Sequence, residues 1–135
     1  MKDEIFDKGI RLFVEKASAQ ISDTSDAACV LYFPGEPYPV IIDVGALGLS
    51  LGFSTYAGVI PNSSNAPQLL RQNWGSIEGT GFYYSVNVEE NEPRLIIETL
   101  QHLRPNATSE DIALILWHCW VQCRQAKKAF DEMFM

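Results

Sequence analysis

Apolar residues recur at spacings of three and four over two long stretches, and each stretch predicts an amphipathic helix. The first covers residues 3–20, and its apolar positions are Phe6, Ile10, Phe13, Val14 and Ala17. The second covers 109–132, and its stripe is Ile112, Leu116, Cys119, Cys123, Ala126, Phe130 and Met133. Thr108 and Asp111 have the spacing of a capping box and mark where the second helix begins. Gly9 is expected to weaken the first helix by about 1 kcal/mol relative to alanine.

Short runs of β-branched, aromatic or alternating residues predict five strands between these helices. They cover residues 28–33, 38–44, 47–53, 81–88 and 94–100. In the third run one face is apolar and the other consists of glycine and serine, which indicates one buried face. The apolar positions of that run are Leu47, Leu49, Leu51 and Phe53. Pro39 is expected at the start or edge of its strand, because it has no amide proton for the ladder.

Three connecting segments complete the predicted order of elements. The polar run 22–26 is expected to end the first helix, and residues 57–64 are expected to form a loop. A short helix is predicted over 65–74, where Asn65 can cap the first turn. The resulting order, α-β-β-β-α-β-β-α, predicts an α+β fold in a single domain over residues 1–135.

Seventeen acidic and ten basic residues give the 135-residue chain a net charge of −7. This charge disfavours binding to nucleic acid; it suits a basic partner, and it equally serves to keep an adhesive surface soluble. The N-terminal residues lack the apolar region of a signal peptide, and no stretch reaches the ~18 apolar residues of a membrane span. Because the three cysteines are odd in number, we expect free thiols and a cytoplasmic location.

His118, Cys119 and Cys123 are the strongest candidates for metal ligands in the chain. A structural zinc site needs about four ligands, usually from two separated pairs. The remaining cysteine and histidine residues are Cys29 and His102 alone. Two of the three candidates also fall in the apolar stripe, where free cysteine packs as a small hydrophobic residue. We therefore expect core cysteines, no metal site and no cofactor.

The sequence contains no recognisable set of catalytic residues. Two histidines outside any known motif give little support for a nucleophile with a base and an orienting group. Gly48 and Gly52 lie on an alternating strand and lack the lysine that follows a phosphate-binding loop. Glu89, Glu90 and Glu92 fit a solvated hairpin turn better than a pair of catalytic carboxylates. The protein is therefore not expected to be an enzyme.

Aromatic residues exceed what one small core needs, which is typical of a protein with an interface. The set consists of Trp74, Phe82, Tyr83, Tyr84, Trp117 and Trp120. Aromatic side chains are expected on both faces of the strand 81–88, and the last two tryptophans lie beside the stripe of the final helix. At least one of these faces is expected to contact another protein.

The second half of the chain carries a pattern of motifs that resembles a known family. Paired leucines followed by an Asn-apolar step occur in 69–74 (LLRQNW), and a glycine-rich loop, 75–81, leads into 82–86 (FYYSV). A polar turn at 89–91 precedes the apolar run 95–97 (LII). Together with the element order and the acidic composition, these motifs resemble the effector-specific class I chaperones of type III secretion.

The resemblance implies an antiparallel twisted sheet with packed helices, in a cytosolic homodimer that serves virulence. Such a chaperone binds the N-terminal segment of a secreted effector and keeps it unfolded and secretion-competent, and the export apparatus would be a second partner. The first helix and first three strands would supply the effector-binding residues, namely Phe6, Phe13, Leu31, Phe33, Val40 and Ile42. The central helix and the strand after it would supply the dimer interface, namely Leu69, Leu70, Trp74, Phe82 and Tyr84.

An acidic inhibitor or immunity-type protein, which blocks a folded toxin or enzyme, is the alternative function. It predicts a folded partner and binding that collapses as salt is added. The chaperone predicts a disordered partner segment, a large negative heat capacity of binding and weak salt dependence. A ligand-binding domain without chaperone activity is a third and weaker interpretation.

Overall fold

The computed structural model describes residues 4–45, 48–59, 82–89 and 92–134. This part of the chain forms two helices and six strands. They are α1 (Glu4–Ala17), β1 (Gln20–Thr24), β2 (Ala28–Tyr32), β3 (Val40–Val44), β4 (Ser50–Val59), β5 (Tyr83–Glu89), β6 (Glu92–His102) and α2 (Ser109–Phe134). Neither helix is long and apolar enough to cross a membrane, within the ranges that the structure describes.

The six strands form one sheet in the order β1-β2-β3-β4-β6-β5, and every neighbouring pair is antiparallel. The first four strands follow chain order. The β5–β6 hairpin is turned so that β6 pairs with β4 and β5 lies at the edge. The predicted α+β class with an antiparallel sheet is therefore confirmed.

Both helices pack against one face of the sheet, because the strands alternate between buried and accessible side chains. The strand residues buried on this face are Cys29, Leu31, Val40, Ile42, Leu51, Phe53, Thr55, Leu95, Ile97 and Thr99. The predicted stripe of α2 covers them, and six of its members are buried: Ile112, Leu116, Cys119, Cys123, Ala126 and Phe130. Met133 lies outside the residues whose side chains are described. We call this the closed face of the sheet.

Gly9 sits where α1 and α2 cross, and its missing side chain allows the close approach. A Cβ atom added at Gly9 would lie 2.7 Å from Cγ2 of Ile112 and 2.9 Å from the carbonyl oxygen of Ser109. Real Cβ atoms do not come this close to other heavy atoms, so alanine would force the helices apart. The propensity lost to glycine within α1 is therefore offset by tighter packing between the helices.

The start of α2 is fixed by the predicted capping box. The hydroxyl of Thr108 accepts a hydrogen bond from the amide of Asp111 at 3.1 Å, and the amide of Thr108 donates to a carboxylate oxygen of Asp111 at 2.9 Å. These two bonds occupy amides that the first helical turn leaves without partners. Hydrogen bonding of the Asp111 carboxylate to Thr108, first of all to its backbone amide, lowers the pKa of that carboxyl below its ordinary value of 3.8.

Three predictions about strand boundaries are wrong. Residues 20–24 form β1, although 22–26 were predicted only to end the first helix, because an edge strand with exposed side chains shows no apolar alternation. Residues 57–59 continue β4 rather than beginning a loop, since a bulge between Tyr56 and Gly58 preserves its pairing with β6. Leu49 precedes β4 and is exposed rather than aligned with its buried face.

The prediction for Pro39 is confirmed, and three other predictions are not tested. Pro39 directly precedes β3, as predicted, and its carbonyl accepts a hydrogen bond from the hydroxyl of Thr55 at 2.8 Å. The predicted helix 65–74 and Leu47 lie outside the described residues. The extent of a single domain over 1–135 stays a prediction.

Candidate functional site on the open face of the sheet

The six predicted effector-binding residues all lie in the core between the helices and the closed face. Phe6, Phe13, Leu31, Phe33, Val40 and Ile42 are buried. The rings of Phe13 and Phe33 meet at 5.8 Å, and Phe33 stacks on Trp120 at 3.8 Å. In this structure they are core residues, so contact with an effector would require the helices that cover them to move. Effector binding by these six residues stays a prediction.

The predicted dimer interface is described only in part. Leu69, Leu70 and Trp74 lie outside the described residues, and of Tyr84 only the backbone, within β5, is described. Phe82 is buried and meets the ring of Phe53 edge-on at 6.1 Å. In this structure Phe82 therefore belongs to the core of its own chain.

The two tryptophans of α2 differ in exposure. Trp120 was predicted as a candidate contact residue, but it is buried against Phe33 and completes the core. Trp117 is half-buried, and the ammonium of Lys16 lies 4.9 Å from its ring centre. This cation–π contact joins the end of α1 to α2.

The cysteines are core residues, as predicted. Cys29, Cys119 and Cys123 are free and buried. Burial raises the pKa of the Cys119 and Cys123 thiols to about 12 and that of Cys29 to about 11, because the thiolate is poorly solvated there. His118 is exposed and is therefore separate from the buried thiols. Among the described residues, no three His, Cys, Asp or Glu side chains are grouped closely enough to hold a metal ion.

The opposite face of the sheet, which we call the open face, carries accessible side chains at its centre. The cross-strand pairing places two rows of residues on this face. One row consists of Val30, Ile41, Ser54, Glu98 and Tyr83, and the other of Ala28, Asp43, Gly52 and Leu100. Tyr83 and Leu100 are each 58% exposed. Side chains of this size that remain accessible on a small protein are typical of a contact surface.

A depression of about 580 Å³ lies over the middle of the open face, and we call it the trough. Its described lining residues are Asp43, Gly52, Phe53, Ser54, Tyr83, Glu98, Thr99, Leu100 and His102. The floor is low because the first three outward positions of β4 hold small residues, Ser50, Gly52 and Ser54. The alternation in the sequence predicted glycine and serine on the face of this strand opposite its apolar residues. It did not indicate that this face binds a partner.

The edge of the sheet at β1 is a second accessible surface. β1 pairs with β2 on one side only, and all its side chains except Ile21 are exposed. A register shift between Ile21 and Asp23 interrupts the ladder with β2. Such an edge presents backbone donors and acceptors to which an extended peptide can add as a further strand.

No known protein family matches the chain by its sequence, and no curated protein does so either. Solved structures do match it. YbjN from E. coli, described as a putative transcription regulator, has a TM-score of 0.59 and 14% identity, covering 92% of this chain and 90% of that protein. The type III secretion chaperone SycH from Yersinia pestis, solved in complex with a stable fragment of YscM2, has a TM-score of 0.54 and 12% identity. That match covers 92% of this chain and 98% of SycH. The chain therefore has the fold found in YbjN and in the type III secretion chaperone SycH.

Proposed function

We propose that this protein is a type III secretion chaperone of the class I type, which binds the N-terminal segment of a secreted effector. It would keep that segment unfolded and ready for export. The observation that carries the proposal is the match to SycH over nearly the full length of both chains. At 12% identity the match is one of fold; the function is drawn from it together with the two accessible surfaces of the sheet.

The physical properties of those surfaces suit an unfolded partner. An extended segment can pair its backbone with the β1 edge, while its apolar side chains pack on accessible residues of the open face. The segment loses a few kcal/mol in becoming ordered, which burial over a wide surface offsets. Binding energy alone maintains such a state, so the proposal includes no enzymatic activity and no cofactor. It also includes a cytoplasmic location, where an effector awaits export.

A homodimer is part of the proposal. Its interface would include Leu69, Leu70 and Trp74 of the predicted central helix, together with Tyr84 of β5; Phe82 is left out because it is buried in its own chain. Because a two-fold interface buries the same patch twice, Leu70→Asp would place two charges in it without partners. Light scattering should then show a wild-type dimer and a monomeric variant at micromolar concentration. A wild type that is already monomeric would remove the dimer from the proposal.

A matched pair of variants distinguishes binding residues on the open face from core residues. Ile41→Ser changes an exposed residue of the open face, and Ile42→Ser changes its buried neighbour on β3. If the open face binds the effector, Ile41→Ser weakens binding by about 1–3 kcal/mol, the range of moderate hot spots, and leaves the melting temperature nearly unchanged. Ile42→Ser should lower the melting temperature first. If Ile41→Ser leaves effector binding unchanged, the effector binds instead to the six core residues, which requires the covering helices to move.

The decisive experiment identifies a partner and then characterises its binding. The tagged protein is purified from its native host, the bound partner is sequenced, and the segment protected from proteolysis is produced separately. Isothermal titration calorimetry at several temperatures and salt concentrations follows. The chaperone predicts a large negative heat capacity and a modest effect of salt. A folded partner whose binding collapses with salt would instead favour the inhibitor function.

A further inference from the structure

Gly52 lies near the start of β4, although nothing in the fold requires glycine there. A Cβ atom added at Gly52 would lie 3.6 Å from Cβ of Asp43 and 3.8 Å from its carboxylate oxygen, which are ordinary contact distances. Its backbone is not among those with a positive φ angle. Glycine inside a strand lowers stability relative to residues with side chains, and it often marks a place where a ligand approaches the backbone.

Gly9 and Gly58, which have close neighbours, differ from Gly52. Gly9 faces the backbone of α2 at 2.9 Å, and a Cβ at Gly58 would lie 2.9 Å from the ring of Phe130. Both positions are on the closed side, where packing excludes a side chain. Gly52 faces the trough, and the space above it is open. The packing of the chain therefore explains Gly9 and Gly58 but leaves Gly52 to be explained by an occupant of the trough.

The charges around Gly52 indicate what that occupant carries. Asp43 and Glu98 lie on the strands either side of β4, at diagonal positions, since Asp43 is opposite Gly52 and Glu98 is opposite Ser54. Strand spacing and rise place their Cα atoms roughly 12 Å apart. Both side chains are exposed, and neither has an ion pair with another residue in the described part of the chain. A cation that enters above Gly52 would lie between two carboxylates.

Asp43 and Glu98 occupy one diagonal across β4, and the residues on the other diagonal are apolar. Ile41 is opposite Ser54, and Leu100 is opposite Gly52, so each carboxylate shares its row with an accessible apolar residue two strands away, on the far side of β4. Arginine and lysine combine a charged end with an aliphatic stem, and they bury the stem on apolar surface while the charge stays near carboxylates. The trough thus suits a basic side chain whose neighbours in the bound segment are apolar.

We propose that the trough is the site where this protein selects a basic residue, arginine or lysine, within an unfolded apolar peptide segment. This rests on the proposed function, because it assumes that the bound partner is an unfolded segment. The net charge of −7 attracts such a segment over a distance, and the trough fixes its register on the sheet. The small residues at the outward positions of β4 on either side of Gly52 leave room for the aliphatic stem of the basic residue.

Synthetic peptides test the proposal with the full chain. Three nine-residue peptides of serine and threonine carry one leucine on each side of a central residue, which is arginine, norleucine or glutamate. Each is titrated into the ¹⁵N-labelled protein, and the shifts of backbone amide resonances are followed. The arginine peptide should shift amides in residues 41–43, 52–54 and 98–100. It should bind roughly tenfold more tightly than the norleucine peptide, and its affinity should exceed that of the glutamate peptide by a larger factor.

Variants of the floor and of the rim supply the matched controls. Gly52→Val fills the floor with a residue that strands favour, so it should abolish the arginine preference without lowering the melting temperature, and Gly52→Ala should have a smaller effect. Asp43→Asn combined with Glu98→Gln should reduce arginine-peptide binding roughly tenfold. Glu15→Gln combined with Glu132→Gln removes the same charge from exposed positions on the two helices, across the sheet from the trough, and should leave binding within about twofold.

The proposal is overturned if the three peptides bind equally, if the shifts lie elsewhere, or if no peptide binds at millimolar concentration. It is also overturned if Gly52→Val binds the arginine peptide as the wild type does. These results differ from a failure of the chaperone function. A natural partner segment that is unfolded when free and binds Gly52→Val unchanged removes the trough and leaves the chaperone proposal standing, whereas a partner that is folded when free removes the chaperone proposal.

Discussion

The two faces of the sheet are built by the same strands and differ in almost every physical respect. On the closed face, side chains of β2, β3, β4 and β6 are buried beneath α1 and α2, and the packing is tight enough to require Gly9. On the open face, the neighbouring residues of the same strands are small, charged or exposed, around a depression of about 580 Å³. Because side chains alternate along a strand, one face can carry stability while the other remains free to bind.

The largest expected difference between buried and accessible positions is found within a single helix. Leu116 is fully buried on the closed face, whereas Leu114 is 64% exposed. Leu116→Ala should lower the free energy of unfolding by about 2–5 kcal/mol, since it leaves a cavity beneath α2. Leu114→Ala should change it by no more than about 0.5 kcal/mol. Urea unfolding followed by circular dichroism measures both.

This pair also contains its own control, because alanine favours the helix at both positions. If Leu114→Ala lowers stability as much as Leu116→Ala does, Leu114 is covered by another part of the protein or by a second copy. The division into a covered side and an accessible side of α2 would then be wrong.

The buried thiols should contribute less than Leu116. Replacing Cys119 and Cys123 together by alanine should lower the free energy of unfolding by about 2 kcal/mol, because two small cavities replace the sulfur atoms. Metal content and partner binding should stay unchanged. Stoichiometric zinc in the purified wild-type protein would contradict this account of the cysteines.

The pH dependence of the thiols has a defined sign. Burial raises the pKa of Cys119 and Cys123 from 9.0 to about 12. The folded state therefore keeps its protons while the unfolded state loses them, and the related stability is complete below pH 9 and is lost as the pH rises towards 12. Between pH 9 and 10.5 the stability of the wild type should fall more steeply than that of the double alanine variant. Parallel curves would show that the thiols ionise in the folded state.

Alanine substitutions of two glycines should have opposite signs. Gly9→Ala should lower the free energy of unfolding by about 1 kcal/mol, because the overlap with Ile112 and Ser109 exceeds the gain in helix propensity. Gly52→Ala should leave stability unchanged or raise it by up to about 1 kcal/mol, since the added methyl group has room. Thermal unfolding of both variants tests the contrast, and stabilisation by Gly9→Ala would show that the helices can separate without loss.

Loss of the cap of α2 should have an effect as small as that of Gly9→Ala. Thr108→Ala removes the hydroxyl that accepts from the amide of Asp111, and it should lower the free energy of unfolding by about 1 kcal/mol. Asp111→Asn should reduce stability relative to the wild type above pH 3.8. The two should converge as the pH falls below that value, because the lowered pKa of Asp111 makes its stabilisation disappear when the carboxyl becomes protonated. Glu110→Gln, in the same helical turn but outside the cap, is the control.

Long periodic patterns could be predicted from the sequence, and short or polar ones could not. The stripe of α2 was predicted position by position, because seven regularly spaced apolar residues allow one helical face only. β1 was missed because an edge strand needs backbone pairing but no apolar side chains. The continuation of β4 to Val59 was missed because glycine and alanine near its end favour a loop, whereas a bulge and the packing of Phe130 over Gly58 keep the strand intact.

The candidate site was harder to predict than the fold. An apolar pattern shows that Leu31 and Ile42 face the same side of the sheet, but it does not show whether helices already cover that side. The stacking of Phe33 on Trp120 joins residues far apart in the chain, and no local pattern predicts it. The trough depends on residues from four strands, β3, β4, β5 and β6, so it becomes visible only once their register is known.

Hydrogen exchange on the natural partner tests the central claim most directly, namely that the accessible surfaces of the sheet hold an unfolded segment. Amide exchange along the partner is measured free and bound to this protein, with the wild type and with Gly52→Val. The account predicts fast exchange throughout the binding segment when it is free, and protection confined to that segment when it is bound. A segment that is already protected as a compact folded domain before it meets this protein would contradict the account and leave the inhibitor function in its place.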